Sequence, residues 1–251
     1  MKQRKFVIHG EINKKLETKL INHGFVLDEE EPEYVFSLGG DGTMLEAVHQ
    51  YMHLDNVKYI GVNYGKLGFY TDFFKDDDSF VDEIDSNNYK TEEFRLLELI
   101  VGNNTYYALN EILVINPSRT QNIKIYVDDV ELENFRGTGL VLSTPSGSTA
   151  YNKSLGGAIL APSIDGYQLT EMASINNRVY KTLSSSLVLA KKNVVKLEFK
   201  RTDGLQIQID GKAISEDDYK DVKIKLADKK VKLITKNDTL FLERVRKSFL
   251  E

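Results

Sequence analysis

Residues 34–48 read YVFSLGGDGTMLEAV. An apolar run gives way to three glycines in four positions and then to apolar residues at helical spacing, a strand, a tight turn and a helix in succession. A glycine-rich turn at such a junction offers bare backbone N–H groups to an anion, yet Asp41 stands among the glycines, where a carboxylate repels phosphate. That aspartate is either incidental or chemical.

The flanking sequence repeats the pattern. Lys5 to Ile8 reads as a first strand, Ile12, Leu16 and Leu20 mark one face of a helix closed by Gly24, and Tyr34 to Leu38 is a second strand. Leu45, Val48 and Met52 suit a helix from Thr43, Lys58 to Val62 supplies another strand, and the acidic run Asp76 to Asp78 reads as a solvated loop entering a short helix. Strands alternating with helices imply a Rossmann-like parallel sheet covered on both faces. Beyond about Tyr89 the period becomes two: Leu97, Leu99 and Val101 alternate, then Ile123, Ile125 and Val127, then Leu205, Ile207 and Ile209. Asp128-Asp129 and Asp210-Gly211 fall where hairpins turn, and Val222 to Ile234 offers two short strands split by Asp228. The expected fold is an α/β N-terminal domain over residues 1–90 and a mostly antiparallel, β-rich domain over 91–236. A helix over 237–251 packs back on the first.

With 251 residues, 41% of them hydrophobic, the chain can build a sizeable core. Its 33 basic and 38 acidic side chains leave a net charge of −5, which argues against a broad surface for nucleic acid or anionic membrane. Any phosphate site is therefore local. Cysteine is absent, so disulfides and thiolate metal sites are excluded. The start, MKQRKFVIHG, is charged like a signal peptide but has only Phe6 to Ile8 apolar, and no run is long enough to span a bilayer. The chain reads as cytoplasmic.

The plain reading of Gly39 to Thr43 is a turn in which Thr43 and Glu46 form a capping box. The spacing fits neither a dinucleotide fingerprint, which would need glycine where Leu45 stands, nor a P-loop, since no GKS or GKT occurs. The chemical reading gives Gly39, Gly40 and Gly42 to a phosphate chain and Asp41 to an alcohol that must lose its proton as it attacks phosphorus. Residues 143–154, STPSGSTAYNKS, carry seven hydroxyl side chains in twelve positions. They make either a Ser/Thr turn or a wall in which Ala150 and Tyr151 pack on a base while Ser146, Thr149 and Ser154 bond sugar and phosphate oxygens. In ALNEILVI, residues 108–115, Asn110 and Glu111 interrupt an apolar strand, so at least one faces an interior and needs a partner. His49 and His53, spaced i, i+4 on the predicted helix, lack the acidic partner of an HExxH pattern and read as surface positions.

GGDGT at 39–43, NE at 110–111 and TPSGSTAY at 144–151, in this order, resemble the NAD kinase family. GKLGFY at 65–70, the FRG and GL around Thr138, and TEMASINNRVY at 170–180 are similar to the shorter bacterial members. GGDGT alone is shared with diacylglycerol kinases, sphingosine kinases and phosphofructokinases; TPSGSTAY after NE narrows it. The resemblance implies ATP-dependent phosphorylation of the 2′-hydroxyl of NAD's adenosine ribose, with magnesium or another divalent cation and with Asp41 as base. By the same implication Asp41 and Gly42 contact the acceptor, Phe69 and Tyr70 line the adenine side, and Asn110 with Glu111 holds the ribose. Ser146, Thr149, Ala150, Tyr151, Asn152, Lys153, Ser154 and Ala173 complete the pocket. Family members are dimers or tetramers, so Arg136, Thr138, Tyr151 and Tyr180 serve the adjacent subunit. Where the family has Asp-Gly before the strand leading to TPxGSTAY, this chain has Thr138-Gly139, and a neutral acceptor is weaker than a charged one. The rival readings are a diacylglycerol-type lipid kinase, which needs an apolar mouth, and a catalytically silent NAD or NADP sensor, which has no use for Asp41.

Overall fold

The computed structural model describes residues 4–65, 68–216, 219–237 and 240–251; Lys66 and Leu67 of the GKLGFY stretch lie outside the described residues. The chain divides into two compact units, residues 1–94 with 230–251, and residues 95–229.

In the first unit the order is β1 (Arg4–Gly10), α1 (Lys14–Asn22), β2 (Phe25–Leu27), β3 (Tyr34–Gly39), α2 (Asp41–Tyr51), β4 (Lys58–Asn63), β5 (Phe73–Phe74) and α3 (Phe80–Asp85). β2, β1, β3 and β4 lie side by side, all parallel. Because strand side chains alternate between faces, β3 divides its residues. Phe36 and Leu38 join Phe6, Leu16, Leu20, Phe25, Phe80 and Ile84 in the core beneath α1 and α3. α2 packs on β3, β4 and β1 and buries Met44, Ala47 and Val48. Aromatic edges knit the first core: Phe25 and Phe36 each meet Phe6 edge-on at 6.2 Å. The parallel sheet with helices on it is the predicted one, with β2 added. Ile12, assigned to the first helix, is 84% exposed and precedes it, because Asn13 caps α1 by accepting from the Leu16 N–H at 3.0 Å. Asp78, in the acidic run, pairs with Lys15 and Lys19 of α1.

The chain leaves this unit in β6 (Lys90–Val101) and returns in β17 (Val222–Thr235). Between them come β7 (Asn104–Ala108), β8 (Glu111–Ile115), β9 (Gln121–Val127), β10 (Val130–Gly137), β11 (Gly139–Ser143), a 3-10 turn at Ser146–Thr149 and the single-turn α4 (Tyr151–Ser154). β12 (Gly166–Met172), β13 (Leu187–Ala190), β14 (Val195–Phe199), β15 (Gln206–Ile209) and β16 (Lys212–Ala213) follow. The pairings within this unit are antiparallel. One layer, β10-β9-β14-β17, and another, β13-β12-β11-β8-β15-β16, share a single core through Ile123, Ile125, Leu197 and Ile224 on one side and Val114, Leu140, Leu169 and Ile207 on the other. Asp128 and Asp129, at φ 50° and 64°, turn β9 into β10, and Asp210 and Gly211, at 48° and 83°, turn β15 into β16, as the sequence predicts.

Two expectations differ. Val222 to Ile234 is one unbroken strand rather than two, because Asp228 points to solvent and pairs with Lys191 instead of breaking the ladder. Its last residues, Lys232 to Ile234, add a parallel neighbour to Lys58–Ile60 of β4. The stretch 108–115 is not one strand, since Leu109 and Asn110 form a bend between β7 and β8. The closing helix, α5 (Phe241–Phe249), completes the first unit. No helix among the described residues is long and apolar enough to cross a membrane.

Candidate active site

Asp41 is the first residue of α2, with Gly40 at the cap position and no side-chain cap. The capping box expected of Thr43 and Glu46 is absent because the helix starts three residues earlier than that reading needs, with Gly40 rather than Thr43 at the cap. The Thr43 side chain instead lies against Gly39. The first-turn N–H groups are thus left without a capping side chain, at the positive end of the helix dipole. Gly40 and Gly42 are exposed and, among the described residues, face open space where a side chain would project.

The Asp41 carboxylate is held from the far side of the turn. Oδ2 accepts from the Phe69 N–H at 2.8 Å and Oδ1 from the Tyr70 N–H at 3.0 Å. This closeness requires Gly68, where a Cβ would stand 2.3 Å from Oδ1. Phe69 and Tyr70 therefore meet Asp41 through backbone. Their rings turn to the chain's own aromatics, Phe69 to Phe249 at 5.6 Å and the buried Tyr70 to Phe94 at 5.9 Å.

A second group forms in the β-rich unit. At the bend at Leu109–Asn110 three successive amides turn to one side chain, Asp210: Oδ2 accepts from Leu109 N–H at 2.7 Å, and Oδ1 from Asn110 at 2.7 Å and Glu111 at 3.0 Å. Asp210 read only as a turn residue in the sequence; its partners are about a hundred positions away, and no local pattern reports them. Against the same bend, Thr144 Oγ donates to Leu109 O at 2.6 Å and accepts from Gly147 N–H at 2.9 Å. Gly147 is so near that a Cβ would stand 2.1 Å from Asn110 O.

The hydroxyl-rich segment is thus largely its own scaffold. Ser148 donates to Pro145 O at 2.6 Å and Thr149 to Ser146 O at 3.0 Å, while Ser146 lies 3.0 Å from the Thr144 hydroxyl. Protons so committed leave Ser146 and Thr149 as acceptors. Ala150 leads into α4, where Tyr151, Lys153 and Ser154 are exposed but Asn152 is buried, accepting from the Thr170 hydroxyl at 2.7 Å.

Glu111 carries the strongest electrostatic signal. Burial, with the Asp210 carboxylate beside it, pushes its pKa up from 4.5 to about 8, so near neutral pH it is a carboxylic acid. Its Oε2 is buried with no partner among the described residues. The folded protein therefore holds a proton that the unfolded chain releases near pH 4.5, and stability falls as pH rises from there to about 8. Glu111→Gln removes that slope, so the Tm of the variant relative to the parent should climb between pH 5 and pH 8. A difference that stays flat across that range would mean Glu111 is ionised throughout.

Arg136, Thr138, Ala173 and Tyr180 make a third group. Thr138 N–H donates to Met172 O at 2.9 Å, next to Ala173, and the Arg136 guanidinium sits 4.3 Å above the Tyr180 ring. Arg136 also lines a recess of about 260 Å³ with Arg119, Lys200 and Arg201, a local positive patch on a net-negative chain. The register Glu111↔Ser143 and Ile115↔Gly139 puts this group and the Glu111 group at opposite ends of β11, about 14 Å apart by strand rise. Within the chain the two groups stand apart. His53, expected on the same helix as His49, lies beyond it, as α2 ends at Tyr51. No group of three or more His, Cys, Asp or Glu among the described residues could hold a metal ion.

Comparison with known proteins finds likeness over most of the chain. Residues 9–85 match the family model described as ATP-NAD kinase N-terminal domain, and residues 103–236 the ATP-NAD kinase C-terminal domain. The chain is 41% identical over 239 residues to NAD kinase 1 of Bacillus cereus, covering 92% of this chain and 90% of that one. It is 42% identical to NAD kinase 1 of Listeria monocytogenes, covering 89% and 88%, and 41% identical to the NAD kinase of Geobacillus stearothermophilus, covering 97% and 93%. Among solved structures, yeast NADH kinase complexed with NADH superposes with a TM-score of 0.82 at 18% identity, covering 99% of this chain and 89% of that one. An NAD kinase from Archaeoglobus fulgidus in complex with ATP gives 0.78 at 20%, covering 97% and 98%. At those identities the two structures speak for the fold alone. With the glycine turn, the Asn110–Glu111 pair and the hydroxyl segment all inside the matched spans, the chain belongs to the ATP-NAD kinase family.

Proposed function

We propose that this chain moves the γ-phosphoryl group of ATP to the 2′-hydroxyl of NAD's adenosine ribose, with Asp41 accepting the hydroxyl proton. Family membership at this identity makes it an NAD kinase with ATP as donor. The observation that carries the assignment of Asp41 is its tethering by the Phe69 and Tyr70 amides beside two exposed glycines at a helix start. The ribose oxygen bonds to phosphorus as the bond to ADP breaks, and the proton passes to Asp41. Such transfers depend on positioning and charge stabilisation.

Around that step, the α2 first-turn amides hold phosphate, and protonated Glu111, with Asn110, bonds the ribose hydroxyls. Ser146 and Thr149 offer acceptors, and Tyr151 a ring that is 40% exposed. A divalent cation, magnesium or another, would neutralise the phosphates. Mg²⁺ keeps several waters and takes one or two carboxylates besides the nucleotide, so a chain offering Asp41 alone at the loop fits a cation carried on ATP. We place the reaction in the cytoplasm. The protein works as a homodimer or homotetramer, with Arg136, Thr138, Tyr151 and Tyr180 serving the adjacent subunit. The separation of the Thr138 group from Glu111 along β11 supports that sharing.

Purified protein with ATP, magnesium and NAD should form NADP, and none when diacylglycerol replaces NAD as acceptor. NAD bound without product would overturn the reading. Thr138→Asp, by restoring a charged acceptor, should lower KM for NAD about fivefold with kcat unchanged; an unchanged KM would remove Thr138 from the NAD site.

A further inference from the structure

We propose that Arg244, in the closing helix, is a positioning residue for phosphoryl transfer: by gripping Phe69 and Asp72 it fixes the two backbone amides that tether Asp41. This rests on Asp41 being the base.

The connection is continuous at hydrogen-bond length. Arg244 Nη1–H donates to Phe69 O at 2.9 Å, and Nη2–H to both Asp72 oxygens, at 2.8 and 2.6 Å. The Phe69 residue is thus held at both polar ends, its carbonyl by Arg244 and its N–H by the Asp41 carboxylate. Tyr70, next along, supplies the second amide to Asp41. Phe249, on the same helix, packs its ring on Phe69. The loop bearing the amides is therefore clamped by one face of α5.

The ion pair is nearly dry, its side chains 10% and 8% exposed. Burial pushes the Asp72 carboxyl above its usual range, and Arg244 opposes this. Guanidinium geometry is what the site uses. One planar fork reaches a carbonyl and two carboxylate oxygens together, whereas a lysine ammonium on its flexible stem is a point charge without that fixed geometry. With lysine the charge remains but the Phe69 peptide is free to shift, and Asp41 with it. A misplacement near 1 Å at a reacting group reduces rate up to about 100-fold.

A buried ion pair could instead serve stability alone, and kinetics separate the two. At temperatures well below Tm, Arg244→Lys and Asp72→Asn should each lower kcat about 10- to 100-fold while KM for NAD and for ATP stays within about twofold. The Phe69 and Tyr70 amides should exchange hydrogen faster in both variants. Leu20→Ala, which opens the same unit's core away from the loop, should lower Tm with kcat unchanged. The double variant Asp41→Asn with Arg244→Lys should be no slower than Asp41→Asn, since Arg244 acts only through Asp41. If Asp41→Asn retains full turnover, the assignment of the base fails and this proposal with it. If Asp41→Asn is slow but Arg244→Lys and Asp72→Asn turn over normally, or their losses multiply onto that of Asp41→Asn, the base stands and Arg244 is only a staple. Should Arg244→Lys not fold, Asp72→Asn decides by the same measurements.

Discussion

Asp41→Asn should lose about 10²- to 10⁴-fold in kcat, the usual contribution of a positioned base, while KM for NAD moves far less. A carboxylate has about four lone-pair sites, and the Phe69 and Tyr70 amides occupy one on each oxygen. One site on each is left for a substrate hydroxyl. Asparagine keeps the shape but presents an NH₂ to one of those amide donors, so it loses a tether as well as basicity. Both faults act at the reacting centre, which is why the loss belongs in kcat. Steady-state assay of NADP formation checks it, and turnover within a few-fold of the parent would return Asp41 to a structural part in the loop.

Asp210→Ala should be the most destabilising change near the Glu111 group. It strips three consecutive amides, at Leu109, Asn110 and Glu111, of one acceptor. An unsatisfied buried donor costs about 1–3 kcal/mol, and water will recover part of that because Asp210 is only half-buried, so a net loss of about 2–4 kcal/mol is expected. For a protein of this size each kcal/mol lowers Tm by about 2–4 °C. NAD affinity should fall together with Tm, since Asn110 and Glu111 take their direction from the bend. Calorimetry alongside NAD titration checks this. A Tm within 2 °C of the parent, on the scale just given, would mean that solvent serves those amides as well as the carboxylate does.

What the sequence disclosed and what it hid follow from range. The β3-turn-α2 passage was legible because periodicity, glycines and the helical tail are local signals, and Asp128-Asp129 and Asp210-Gly211 because a two-residue hairpin restricts its own residues. The continuity of β17 was hidden because an exposed Asp228 looks like a break when its pairing with Lys191 is unseen. At the site, the motifs marked Asp41, Asn110 and Glu111 but not what orients them. Gly68, Asp210 and the Arg244–Asp72 pair act on partners tens to well over a hundred positions away, and such contacts leave no spacing to read. The hydroxyl segment was misleading for the opposite reason: composition showed polarity, while Thr144, Ser148 and Thr149 spend theirs on backbone carbonyls of the fold.

The discontinuity of the first unit bears on how the molecule is made. Its sheet opens with β1, but β17's last residues and α5 are translated only after the whole of residues 95–229. Domains made earlier ordinarily fold earlier on the ribosome. Here the uninterrupted middle segment, 95–229, can finish while the opening ninety-odd residues still wait for their last strand and helix. A nascent chain halted just short of Phe241 would carry the glycine turn and its aspartate with Arg244 not yet synthesised.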